Sequence, residues 1–391
     1  MSTPGERLKT ARKWRGLGQE ELSRESGVSA SLISKLERNE RTSARMETWR
    51  SLAHALHVPT MRLSDGLDEP GPHEETVEEW AAVREALHAP PAASQADAGE
   101  PPTVAGLKAV ITEHLPLFKG EFSQLAQVLP GVLRDAADLG DEGQALRVRV
   151  LQLAGWSLTA TRQWDLAEDA LERSMDIATD RIQAAETVDC LTWLYLRRGE
   201  LDRARDVAIK WADDLEPTKI RRATPDELCA WGRMLLRISA ATIRDNRNGE
   251  ATSAMKWAAV AARALGAEHQ PDPFVSLKTF GPTTVALKVI ENAAVTGQPE
   301  TVLRLAKRVP KGGVRPTASN INRHMLDVAD AQAKTGDYSG AVTRLLKIKS
   351  RYPEWLGNQR YAGDVVSNIA ENRRLITPEL REVASIVRVP L

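Results

Sequence analysis

The 391 residues predict an all-α protein in two unequal parts, a compact N-terminal head of five helices and a long stack of helical hairpins behind it. Three observations carry this. Apolar residues recur at helical spacing, and from Val104 onward no segment alternates as a strand would. A motif led by a turn residue recurs five times in the C-terminal two-thirds. Between head and stack lies an acidic stretch with prolines at both ends, the composition of a linker. The expected division is 1–66, 67–103 and 104–391.

The head shows five short helical periods. ERLKTARKWR places Leu8, Ala11 and Arg12 on one face and stops at Gly16, and QEELSRES follows with Leu22 as its anchor and Gly27 as its end. SASLISKLER starts from Ser29, an N-cap residue, and buries Leu32, Ile33 and Leu36. METWRSLAHAL contributes Trp49, Leu52, Ala53 and Leu56, and PTMRLSDG closes the unit. Two helices joined by a tight turn containing glycine are the helix-turn-helix signal. With only about sixty residues, each core position counts.

Those residues resemble the XRE family, the lambda-repressor-like helix-turn-helix group. The match is dense over about 60 residues: Gln19-Glu20-Glu21-Leu22, Gly27-Val28-Ser29, Ile33-Ser34-Lys35-Leu36-Glu37 and Leu52-Ala53-Ala55-Leu56. The resemblance implies a DNA-binding domain whose third helix enters the major groove, with its N-terminal residues on base edges. Here those are Ala30, Ser31, Ser34 and Lys35, following Ser29. Lys35 would donate to guanine, the two serines are ambiguous readers, and Ala30 can meet only a thymine methyl. Gln19, opening the second helix, would hold a phosphate, Arg38 and Arg41 would touch backbone, and Arg45 stands at the minor-groove position. Arg12 and Glu37 match a structural ion pair. Two positions depart from the family pattern: Gly18 replaces a capping side chain, and His57 occupies a helix end where glycine is usual.

The acidic stretch carries 1 basic and 9 acidic residues, against 12 and 8 in the head and 40 and 36 beyond it. The net charge of zero is therefore a cancellation, and it does not exclude a nucleic-acid partner. Within the stretch, HEETVEEWAAVREALH predicts one short acidic helix with Val77, Trp80, Ala81, Val83 and Leu87 loosely on one side. It reads first as a solvated spacer, and second as an acidic competitor of DNA for the head.

In the stack, RQWDLAEDALERS, GELDRARDVAIKW, GEATSAMKWAAVA, GQPETVLRLAKRV and GDYSGAVTRLLKI align on the turn residues Arg162, Gly199, Gly249, Gly297 and Gly336. Five residues later stands a small apolar residue, Ala167, Ala204, Ala254, Val302 or Ala341, which lets the following helix pack closely. The pattern resembles the tetratricopeptide repeat, with anchors 37, 50, 48 and 39 apart. A TPR-like α-solenoid of five or more hairpins is expected, capped by helices before Leu139 and after Asp364. Head and stack together resemble actinobacterial XRE-type regulators with such C-termini, through Phe280-Gly281-Pro282-Thr283 and VALKVIENAAVTGQ. In architecture they are also similar to peptide-sensing quorum regulators. The first helices of the hairpins would line a concave surface. Candidate ligand contacts there are Trp156, Trp193, Tyr195, Trp231, Arg237, Arg244, Asn246, Asn292 and Asn322, since arginine clamps carboxylates and asparagine pairs with peptide backbone.

Catalytic signals are absent. No G-x-x-x-x-G-K-[ST] or G-x-G-x-x-G cradle occurs, and His54 and His57 lack a third ligand. Cys190 and Cys229 read as packed thiols in a reducing cytoplasm, and neither a signal peptide nor a transmembrane helix is expected. The sequence thus points to a cytoplasmic, non-enzymatic, cofactor-free regulator. It would bind double-stranded DNA as a homodimer and respond to a small-molecule or peptide effector or a protein partner. The alternative is an interaction scaffold or antitoxin-like regulator acting mainly through the repeats.

Overall fold

The computed structural model describes residues 3–41, 44–64, 71–89, 101–310, 313–373 and 375–391, and these are helical, with one isolated β-bridge between His269 and Phe280. The head comprises α1 (Pro4–Trp14), α2 (Gln19–Ser26), α3 (Ala30–Glu37) and α4 (Met46–Ala55). Its expected fifth helix is a single 3-10 turn, Thr60–Arg62. Thr3 and Glu6 form a reciprocal capping box on α1, and Ser29 Oγ accepts from the Leu32 amide to cap α3. Gly18 offers α2 no side-chain cap, so Glu21 reaches back to accept from the Gly18 amide at 2.6 Å. His57 takes the left-handed conformation, φ 53°, that glycine usually supplies. Leu8, Leu22, Ile33, Leu36, Trp49, Leu52, Ala53 and Leu56 are buried together.

One ion pair ties the first and third helices. Arg12 donates to Glu37 through Nε at 2.6 Å and Nη2 at 2.8 Å, and Gln19 Nε2 adds a third donor at 2.9 Å. Burial alone would raise the Glu37 pKa, but the hydrogen bonds from Arg12 and Gln19 and the charges of Arg12 and Lys9 more than offset it. The carboxyl therefore stays below its ordinary range.

The acidic segment departs from the spacer reading. It forms two short helices, α5 (Glu74–Glu79) and α6 (Ala81–His88), and Trp80, Val83, Ala86 and Leu87 are buried in the large core of the body. Aromatic and aliphatic area on that face outweighs the solvation of its glutamates, which point outward. Glu75 pairs with Arg388 near the far end of the chain at 2.9 Å. The small-residue run 92–100 and prolines 70, 90 and 91 lie outside the described residues.

The body opens with α7 (Val104–His114) and α8 (Phe122–Asp138). Five hairpins follow: α9 (Gln144–Ala160) with α10 (Trp164–Asp176), α11 (Arg181–Arg198) with α12 (Leu201–Leu215), α13 (Pro225–Arg244) with α14 (Asn248–Leu265), α15 (Pro282–Val295) with α16 (Pro299–Ala306), and α17 (Ala318–Lys334) with α18 (Tyr338–Lys349). Each turns on one left-handed residue: Arg162, Gly199, Asn246, Gly297 and Gly336. The third anchor thus falls on Asn246, and Gly249 lies inside α14. Asparagine tolerates positive φ through local hydrogen bonding, so the turn there needs no glycine. The small residues five positions after each observed anchor, Ala167, Ala204, Ala251, Val302 and Ala341, are at most 1% exposed. First helices pack on first helices, α9 on α11, α13, α15 and α17 in turn, and their partners lie outside them.

The stack closes on itself. The last helices, α19 (Pro353–Gly357), α20 (Arg360–Asn372) and α21 (Pro378–Ile386), return to the start of the body. Glu354 Oε2 accepts from the Ser123 amide at 2.9 Å, and Arg197 Nη1 donates to Gln359 at 3.1 Å. The segment between α14 and α15 packs against α13 at Gly232, where an added Cβ would lie 2.1 Å from the buried Phe280 ring. Glu268, from the same segment, accepts from the amides of Thr283 and Thr284 at the start of α15.

This packing has measurable consequences for stability. Gly232→Ala should lower unfolding stability by about 1–3 kcal/mol in urea titrations, because Phe280 has nowhere to move. Gly131→Ala, in open space on α8, should instead gain about 0.5–1 kcal/mol. In the head, Arg12→Met should cost roughly 3–5 kcal/mol at pH 7 by stranding a buried carboxylate. The Glu37 pKa is depressed in the folded protein, so its stabilising share is complete above the ordinary carboxylate value and fades as pH falls toward the folded value. Stability measured between pH 7 and pH 3 should show that loss in the parent and not in Arg12→Met.

Candidate nucleic-acid interface and inner chamber

Helix α3 presents the positions expected to read DNA. Ser31 and Lys35 are exposed, Ala30 and Ser34 half-exposed, and Ile33 and Leu36 face the core, which fixes the rotation of the helix. Ser29, Arg38 and Arg41 are exposed around it, and Arg38 pairs with Glu40 at 3.1 Å. Gln19 stands at the start of α2, with its amide nitrogen committed to Glu37. Arg45 lies apart from these. Its guanidinium reaches the body and pairs with Asp364 on α20 at 2.9 Å.

The head is seated on the turn between α13 and α14. The amide of Met61 donates to Asp245 Oδ1 at 2.9 Å, and Thr60 Oγ1 donates to the Arg244 carbonyl at 3.0 Å. Asn246 Nδ2 donates to the Arg50 carbonyl and to Thr60 Oγ1, each at 3.1 Å. Burial, opposed by Glu47 and reinforced by Arg244, pushes the Arg50 guanidinium down from its usual range.

The inner faces of the first helices enclose a chamber of about 780 Å³. Four of the sequence candidates line it: Trp156, Trp193, Arg237 and Arg244. The other five do not come to it. Tyr195 is buried beneath Arg203, 4.0 Å from its ring, and Trp231 packs in a separate core against Trp257. Asn246 holds the head, Asn292 Nδ2 donates to Ser239 at 2.8 Å, and Asn322 is buried behind the wall. Helical spacing alone cannot separate a wall-facing side chain from one turned a few tens of degrees into the packing.

The deep wall is an ionic network absent from the sequence candidates apart from Arg237. Asp189 meets Lys278 Nζ at 2.6 Å and Arg237 Nε at 2.7 Å, and Glu186 meets Arg233 Nη2 at 2.8 Å and Lys278 Nζ at 3.0 Å. Burial alone would raise Asp189, but Arg237, Lys278 and Arg233 together hold it far below its ordinary value. Burial pushes the Cys190 thiol up, although Lys278 donates to its sulfur at 3.1 Å, so it is no ready nucleophile. The available signal was Glu186 with Asp189, and Arg233 with Arg237, at helical spacing on faces otherwise apolar. A second cluster joins Arg244 and Lys288 to Glu291, and Arg323 to Asp327, whose carboxyl burial raises to about 6.

Among the described residues no group of three or more histidine, cysteine or carboxylate side chains is placed to hold a metal, and no helix is long and apolar enough to cross a membrane. No curated protein and no solved structure matches the chain. Residues 8–63 do match a family model, that of the helix-turn-helix, and the exposed face of α3 agrees with it. The N-terminal head is a helix-turn-helix domain.

Proposed function

We propose that the chain is a sequence-specific transcriptional regulator that binds operator DNA as a homodimer and whose TPR-like body senses an effector in the inner chamber. The observation that carries the reading is the exposed α3 face, with Ser31 and Lys35 open to solvent on a helix whose opposite side is locked in the core. One head buries too little surface for tight specific binding, and a two-fold pair reading a pseudo-palindrome supplies the rest. Lys35 and the serines read bases, while Arg38 and Arg41 grip the phosphates. The chamber supports the sensing half, since its volume suits one small molecule and its lining mixes apolar rings with polar groups. The seating of the head on the α13–α14 turn supplies a contact through which occupancy reaches the DNA-binding domain.

Gel-shift titration against DNA flanking the gene tests this. Lys35→Ala should relax preference at one base position at a cost of about 1–3 kcal/mol, whereas Arg38→Ala should weaken all sequences alike and flatten the salt dependence. Equal binding to random duplex with a shallow salt response would instead mark an interaction scaffold.

A further inference from the structure

Charge in the chamber is out of balance. Among the described residues thirteen basic side chains line it against five carboxylates, in a chain whose total charge is zero. Asp327, outside the lining, pairs with Arg323, and the basic side chains of the lining still outnumber its carboxylates. Like charges gathered in a concave space repel one another and focus a positive potential, which an incoming anion relieves. Two of the deepest guanidiniums also keep unused donors. Arg149 Nη2 and Arg233 Nε have no hydrogen-bond partner, although these side chains are only 4% and 7% exposed. A guanidinium fork matches phosphate and carboxylate oxygens better than any neutral group.

The lining also has a flat apolar part. Trp156 and Trp193 stack with centroids 5.9 Å apart at 22°, both half-buried, and Leu153 and Leu196 flank them. Along α9 the wall runs from Arg149 past Trp156 to Ala160, a rise of about 16 Å, with Arg162 at the turn beyond it. The head contributes Arg45, Met46 and Glu47 to the lining, and Arg45 reaches Asp364 there.

We propose that the chamber binds a small organic polyanion carrying a flat ring. Its phosphate or carboxylate groups lie on the arginines, and its ring lies against the Trp156–Trp193 pair. Arg45 belongs to the same site, so the bound anion holds the head against the body. This rests on the effector reading above and adds the chemical class of the ligand.

Calorimetry and tryptophan fluorescence on the full chain without DNA test it, with ATP, inorganic triphosphate, citrate and adenosine as probes. ATP should bind and change the fluorescence, and Trp193→Phe should diminish that change. Triphosphate and citrate should bind at least ~10-fold more weakly for want of a ring, and the tighter of the two tells phosphate from carboxylate. Arg315→Gln and Arg45→Gln, both at exposed positions, should each weaken ATP by roughly tenfold while leaving the thermal midpoint within a few degrees. Adenosine binding as tightly as ATP, or no anion binding at about 10 mM, overturns the proposal. If Arg315→Gln weakens ATP and Arg45→Gln does not, the head is no part of the site. Loss of DNA binding with anion binding intact would sink the regulator reading alone, and DNA binding without anion binding would sink this one.

Discussion

Glu186 and Asp189 are the pivot of the inner wall. These two buried carboxylates on α11 gather Arg149 from α9, Arg233 and Arg237 from α13, and Lys278 from the segment before α15. Stripping water from so many charges costs several kcal/mol per ion, which only close pairing and hydrogen bonds can offset. The first helices can therefore stack only with their charged faces in register. Because the cations outnumber the carboxylates, the contact that sets this register also leaves the enclosed space positive.

The turn after α13 links that wall to the head. Arg244 lines the chamber through its side chain, while its carbonyl, Asp245 and Asn246 hold Thr60, Met61 and Arg50. Three consecutive residues thus join the chamber, lined by Arg244, to the head, held by Asp245 and Asn246. Arg45 repeats the arrangement through α20.

Much of the molecule was legible in its residues because the signals were local. The capping Ser29, the anchors Leu22 and Leu36, and the Arg12–Glu37 pair appear in the head as the residue pattern and its family resemblance suggested. The glycine turns at Gly199, Gly297 and Gly336 are equally local, since positive φ selects the residue type. The turn role of Asn246 is less conspicuous because asparagine reaches the same conformation without being glycine and Gly249 stands close by. The acidic segment misled through composition: four glutamates outweighed Trp80 on paper, yet the burial of Trp80 decides where the helix lies.

By itself, the sequence determined the helical class, the rotation of α3 and the five-hairpin plan, because periodicity, caps and turn residues act over a few positions. Only the tertiary structure decided that the stack closes on its own beginning, that the acidic helices join the core, and that Asn246 hydrogen-bonds the head. It alone also brought thirteen cations, among the described residues, around one chamber from segments far apart in the chain. Charge counted along a sequence averages over distance, whereas the potential in a cavity depends on which charges face it and on how little water lies between them.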